Sequence, residues 1–151
     1  ILKKSLPGTR ALRDVSPAQL EQHSNELPEI IYRRCKHVVN ENARAVQAMQ
    51  TLRSGDLAEV GRLMAASHIS LRDLYSVSCF ELDLMVELAN KVDGAIGARM
   101  TGGGFGGCTI NLVHNDAVDR FRSTVKEGYK HATGIDPEIY VSRAANGAEE
   151  I

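Results

Sequence analysis

The sequence predicts an α+β fold, helical in its first half and mixed in its second. Three observations lead there. Apolar residues recur at helical spacing between Pro28 and Ala89, two short alternating runs flank a glycine cluster, and one more helical stripe follows the second run. The expected arrangement is an N-terminal helical hairpin packed on a small antiparallel sheet, with helices covering one of its faces.

Each element has its own signal. Ile31, Cys35, Val38, Asn42, Ala45, Met49 and Leu52 step by four and three, which draws one buried stripe along a helix from near Pro28 to Arg53. Gly55 ends it. Asp56 with Glu59 reads as a capping box, and Leu57, Val60, Met64, Ser67, Leu71 and Leu74 form the stripe of a second helix, antiparallel to the first across a short turn. Ser78 with Glu81 repeats the box pattern before a third helix whose buried face is Leu82, Met85, Leu88 and Ala89, closed by Asp93-Gly94. A strand from about Ala95 to Thr101, a glycine loop and a strand from Thr109 to Val113 come next. Asn115 or Asp116 then starts a helix with Val118, Phe121, Val125 and Tyr129 on one side, and Gly134 stops it. Pro137 leads into an expected final strand near Glu138 to Ser142.

Core building does not explain the loop. Gly102, Gly103, Gly104, Gly106 and Gly107 put five glycines into six positions, a choice that makes sense where the backbone needs positive φ angles or something must approach its amides. Such amides can form an anion-binding nest, so the loop reads either as a phosphate-contacting loop or as a wide turn. Three familiar phosphate loops are excluded. Gly102, Gly104 and Gly107 satisfy G-x-G-x-x-G, but a strand and not a helix follows. Cys108 stands where a Walker-type loop has lysine. Thr109 replaces the valine of a protein-kinase loop, and no V-A-I-K, H-R-D or D-F-G follows.

Composition narrows the classes further. Eighteen Lys and Arg against nineteen Asp and Glu leave a net charge of −1 over 151 residues, so no nucleic-acid or anionic-membrane partner is expected. No apolar run approaches a membrane span, and nothing resembles a signal peptide. Cys35, Cys79 and Cys108 are odd in number and far apart, which argues against a disulfide framework or a zinc site and for a reducing compartment, the cytoplasm. Each thiol is expected as small buried filler.

The residues around the loop carry a resemblance. Gly97-Ala-Arg-Met-Thr-Gly-Gly-Gly-Phe-Gly-Gly-Cys-Thr109 closely resembles the third signature motif of the GHMP kinases, and in this wording that of the galactokinases. Ser67-His-Ile-Ser-Leu-Arg-Asp-Leu-Tyr-Ser-Val-Ser-Cys-Phe-Glu-Leu-Asp83 is similar to a galactokinase stretch reading S-H-x-S-L-R-D-D-Y-x-V-S-C-P-E-L-D. Ala11 to Val15, Tyr32 to Val39, Glu41 to Arg44 and Tyr140 to Ala148 are also similar to that family, in order along nearly the whole chain. Leu74, Ser76 and Phe80 depart from its usual aspartate, glutamate and proline.

The resemblance implies a ferredoxin-like GHMP kinase C-terminal domain over residues 1–151, with an N-terminal catalytic and nucleotide domain absent from this sequence. It implies ATP-dependent phosphorylation of galactose at its C1 hydroxyl with Mg2+. The catalytic residues and magnesium ligands would lie in the absent domain, so this chain alone is expected to be inactive. Carried over by position, Thr101, Gly102, Gly103, Gly104, Phe105, Gly106 and Gly107 would form a wall of the transfer site. Arg99, in the strand leading into the loop, is read from its place either as loop support that orders the backbone or as a charge that reaches a phosphate. Gly104→Val is expected to lower turnover far more than stability. The rival readings are a galactokinase-like sensor of sugar and nucleotide, and a kinase for N-acetylgalactosamine or arabinose.

Other conspicuous residues are given plainer roles. His37 and His68 lack zinc spacing and are expected at the surface or in caps. Arg72 with Asp73 reads as a structural ion pair. Arg33, Arg34 and Lys36, balanced by Glu26, Glu29 and Glu41, read as a solvated face.

Overall fold

A computed structural model describes residues 1–143 and 145. Helix α1 (Leu2–Ser5) and helix α2 (Pro17–Gln22) precede the long α3 (Glu29–Ser54), and α4 (Leu57–Ser70) runs without a break into a π-helical turn, Leu71–Tyr75. Then come α5 (Phe80–Asn90), strands β1 (Ala95–Thr101) and β2 (Cys108–Val113), and α6 (Val118–Thr133). The strands pair antiparallel with Met100 opposite Thr109 and Thr101 opposite Cys108.

The hairpin of α3 and α4 forms as its caps predict. Gly55 takes a left-handed φ of 75° and its N–H reaches Leu52 O, while Asp56 Oδ1 accepts the Glu59 N–H at 3.0 Å. The box is only half made, because the Glu59 carboxylate turns outward to Arg62 at 2.6 Å and Gln47 at 2.7 Å. Glycines then set the hairpin against the sheet. A methyl on Gly61 would overlap the Ile96 carbonyl, and one on Gly97 would lie 2.7 Å from Gly61 Cα, so α4 and β1 approach at backbone contact.

The main core lies between α5, β1 and α6. Val86, Ala89, Val92, Ala98, Phe121 and Val125 are its buried members. A second cluster joins Leu2, Val15, Leu20 and Leu27 to Val39 of α3, so the first turns of the chain brace the start of the long helix. That bracing has a readable signal in Ser16-Pro17-Ala18-Gln19. The Ser16 hydroxyl accepts the Gln19 N–H at 3.2 Å and the Gln19 side chain accepts the Ser16 N–H at 2.9 Å, a complete capping box with proline at the first helical position.

Four expectations about the elements and the cysteines need correction. The α3 stripe is rotated: Ile31, Met49 and Leu52 are exposed, and the face turned to α4 bears His37, Glu41, Arg44 and Thr51. The stepping is the same but displaced by one residue, about 100° around the helix. Polarity misled the reading there, because α4 supplies hydroxyl partners that make a polar face buriable. Second, Glu138 to Ser142 form no strand; only Ile139 packs on the core, and the rest of the segment runs exposed past α6. Third, Cys79 and not Ser78 occupies the N-cap of α5, and Ser78 instead donates to Asp83 Oδ1 at 2.5 Å. Fourth, Cys108 is exposed and Cys35 and Cys79 are half-buried: Cys79 and Cys108 stand at element ends, and Cys35 lies along α3 at the margin of the second cluster. Part of the Tyr140 to Ala148 stretch, residues 144 and 146–148, lies outside the described residues.

Candidate functional site

The glycine loop projects from the end of the β1–β2 hairpin. Gly102, Gly104, Gly106 and Gly107 adopt φ of 77°, 81°, 121° and 97°, and Phe105 is itself left-handed at 60°. An aromatic residue in that region is strained, and it persists only where neighbours hold it. The holder is Val77. Its carbonyl accepts the Phe105 N–H at 2.8 Å, and a methyl on Gly104 would overlap that same oxygen. Gly104 is therefore glycine for docking.

Gly103 is different. Its φ lies outside the left-handed region and nothing stands within 4 Å of where its Cβ would be. Neither backbone strain nor packing within the described residues demands glycine there. Among these residues, no glycine amide of the loop has a backbone acceptor in good geometry, so the loop keeps N–H groups that its own backbone does not pair. Phe105 is 76% exposed at the tip. The arrangement suits an anionic group brought up to Gly103.

A platform carries the loop. After α4 the chain makes the π turn, closes it with Ser76 at φ 57°, and so aims Val77 at the loop. The carbonyls at the end of that turn are capped from α3: Arg33 donates to Asp73 O, and Arg34 Nη1 donates to Leu74 O at 2.6 Å. Arg34 also lies 5.6 Å from the centre of the Tyr75 ring, which stacks on His37 at 4.5 Å. These two arginines are thus caps and not a solvated face. Lys36 alone keeps to its own helix and α2, through Tyr32 Oη at 3.0 Å and Glu21 at 3.5 Å. Arg72 and Asp73 make the expected exposed ion pair at 2.7 Å.

The two histidines singled out in the sequence are buried, His37 at 6% and His68 at 4% exposure, contrary to the surface expectation. His37 Nδ1 lies 2.9 Å from Ser70 Oγ. Beside it the Ser67 hydroxyl donates to Glu41 at 2.7 Å, and Arg44 meets the other oxygen of that carboxylate at 2.6 Å. Arg99 turns back from the loop tip toward this cluster. Its Nε donates to Met100 O at 3.0 Å and its Nη1 stands 3.9 Å from Glu41.

His68 reaches the root of the loop. Its Nδ1 receives the Met100 N–H at 3.3 Å and its Nε2 is 3.1 Å from Asp83 Oδ1. Burial holds the imidazoles of His37 and His68 below the usual histidine range, against the upward pull of Glu41 on the first and Asp83 on the second. Sequence reasoning singled out the loop but missed Val77, and assigned Ser78 and His68 other roles. The platform was invisible because its contacts join residues roughly 30 to 40 positions apart. Among the described residues no three His, Cys, Asp or Glu side chains stand close enough together to hold a metal ion.

The family described as GHMP kinases C terminal matches residues 48–131. The galactokinase of Roseiflexus sp. (strain RS-1) is 48% identical over 150 residues, covering 99% of this chain and 38% of that protein. The galactokinase of Glaesserella parasuis serovar 5 (strain SH0165) is 44% identical over 148 residues, covering 95% and 38% respectively. The chain thus spans 38% of the length of these relatives. Among solved structures, Lactococcus lactis galactokinase complexed with galactose superposes with a TM-score of 0.84 at 37% identity, over 88% of this chain and 34% of that one.

Proposed function

Because the chain belongs to the GHMP kinases through their C-terminal family, we propose that it is the C-terminal part of a galactokinase and forms one wall of the phosphoryl-transfer site. In that reaction the C1 hydroxyl of galactose attacks the γ-phosphorus of ATP, the bond to the bridging oxygen breaks, and ADP leaves. The loop's contribution would be electrostatic: N–H groups left unpaired by the loop backbone would stabilise charge on the transferring group. The observation that carries this reading is Gly103, a glycine for which the fold itself has no use.

Residues 1–151 would form the GHMP kinase C-terminal domain, and an N-terminal domain would bring the general base and the nucleotide phosphate loop. The magnesium ligands would also lie in that other part. Three free thiols fit a reducing compartment such as the cytoplasm. No helix among the described residues is long and apolar enough to cross a membrane. The similarity of the relatives named above favours turnover over sensing.

The test is an assay of the full-length protein with ATP and Mg2+ against galactose, N-acetylgalactosamine and arabinose. Galactose is expected to be phosphorylated with the highest kcat/KM, and residues 1–151 alone are expected to give no turnover. Absence of galactose phosphorylation by the full-length protein, or robust activity of residues 1–151, would overturn the reading.

A further inference from the structure

We propose that His68 is a positioning residue, whose imidazole bridges the Met100 amide and the Asp83 carboxylate and thereby fixes the glycine loop relative to its Val77 platform. The inference rests on the reading of the loop as part of a phosphoryl-transfer site. Its geometry is independent of that reading.

Among the described residues β1 has a single strand neighbour, so its other edge carries amides that β2 cannot satisfy. At Met100 that edge is buried under α4, where an unpaired N–H is costly, and His68 Nδ1 is the acceptor at 3.3 Å. An amide only donates, so Nδ1 must carry a lone pair and the imidazole proton must sit on Nε2. Nε2 then stands 3.1 Å from Asp83 Oδ1, which is the acceptor within reach of that proton. The contact assigns both the neutral form and the tautomer.

Asp83 carries the contact outward. The same oxygen accepts the Ser78 hydroxyl at 2.5 Å, and Ser78 adjoins Val77, whose carbonyl holds Phe105 and against which Gly104 is wedged. One arm of His68 therefore ends a residue before the loop begins, and the other ends at the platform the loop rests on. Moving either arm shifts the Gly103 amide relative to whatever it contacts. Misplacement by about 1 Å can cost on the order of a hundredfold in rate when the group acts by orientation. His68 is 4% exposed, so its action is through the Met100 amide on one side and Asp83 with Ser78 on the other.

Three variants of the full-length protein separate the possibilities. His68→Leu removes both arms and should lower kcat for galactose by about tenfold or more, with KM for galactose and for ATP changed by less than about twofold. His68→Asn keeps an acceptor near the Nδ1 position and should recover part of that loss. His68→Gln offers its amide toward Asp83 but nothing to Met100, and should be slower than His68→Asn. Amide hydrogen exchange gives a readout that needs no activity: Met100 and Phe105 should exchange faster in His68→Leu while amides of α6 keep their rates.

Unchanged kcat per folded molecule together with unchanged Phe105 exchange in His68→Leu would sink the proposal. So would acceleration spread evenly through α6, which marks a general loss of stability. If His68→Leu does not fold, the order of Asn and Gln decides, and equal or reversed rates count against His68. If the wild-type protein does not phosphorylate galactose, the kinase reading fails, and the exchange of Met100 and Phe105 alone judges the bridge.

Discussion

Two neighbouring glycines in the loop have different reasons to be glycine. Gly104 has a left-handed φ of 81° and no room beside Val77, whereas Gly103 has neither constraint. The sequence-based expectation that Gly104→Val would separate turnover from folding therefore moves to its neighbour. Gly103→Ala should leave stability within about 0.5 kcal/mol, as substitutions in open space do. If an anionic group approaches its amide, turnover should nevertheless fall by about tenfold or more. Gly104→Ala should lower the urea midpoint and loosen the loop as well. Kinetics and urea unfolding on both variants check this, and equal turnover in Gly103→Ala and wild type would make the loop a plain turn.

Between elements, the decisive contact is the backbone approach of α4 to β1. Gly61 touches the Ile96 carbonyl with no side chain between them, and neither backbone can yield without moving a whole element. Gly61→Ala is expected to destabilise by about 3 kcal/mol through overpacking. Gly128 in α6 makes the useful contrast. A methyl there would meet Leu88 Cδ2 at 3.0 Å, the far end of a flexible side chain that can rotate away. Gly128→Ala gains helix propensity of about 1 kcal/mol against that repacking and should be close to neutral. Urea unfolding of the pair decides whether backbone or side-chain contact sets the cost.

Across the whole molecule, the two buried histidines tie stability to pH. Both are held below the ordinary histidine range by burial. Glu41 pulls His37 upward against Arg34, Arg44 and Arg99, and Asp83 pulls His68 upward against Arg72 and Arg99. A depressed folded-state value means the unfolded chain binds more protons, so stability present above about pH 6.5 is lost as pH falls through the folded-state values. The urea midpoint should therefore drop between pH 7.5 and pH 5.5, and a variant with both histidines replaced should show a shallower decline. An undiminished slope would place the titrating groups elsewhere.

The same residues show how far the sequence could be read. Element type and order came through for α3 to α6 and for β1 and β2, because caps such as Asp56 and stops such as Gly55 and Gly134 act on their own neighbours. The glycine loop was legible as an anomaly for the same local reason. Which side of α3 is buried, what Arg33 and Arg34 do, and why Gly104 differs from Gly103 were decided by partners roughly 30 to 40 residues away. A polar residue such as His37 or Glu41 becomes buriable only once Ser70 and Ser67 stand opposite it. Glu138 to Ser142 carried the composition of a strand, yet strand formation requires a partner edge, and the tertiary structure pairs it with none. By itself the sequence determined local geometry; the packing of α4 across α3 and β1 decided which of those local pieces face each other to hold the loop.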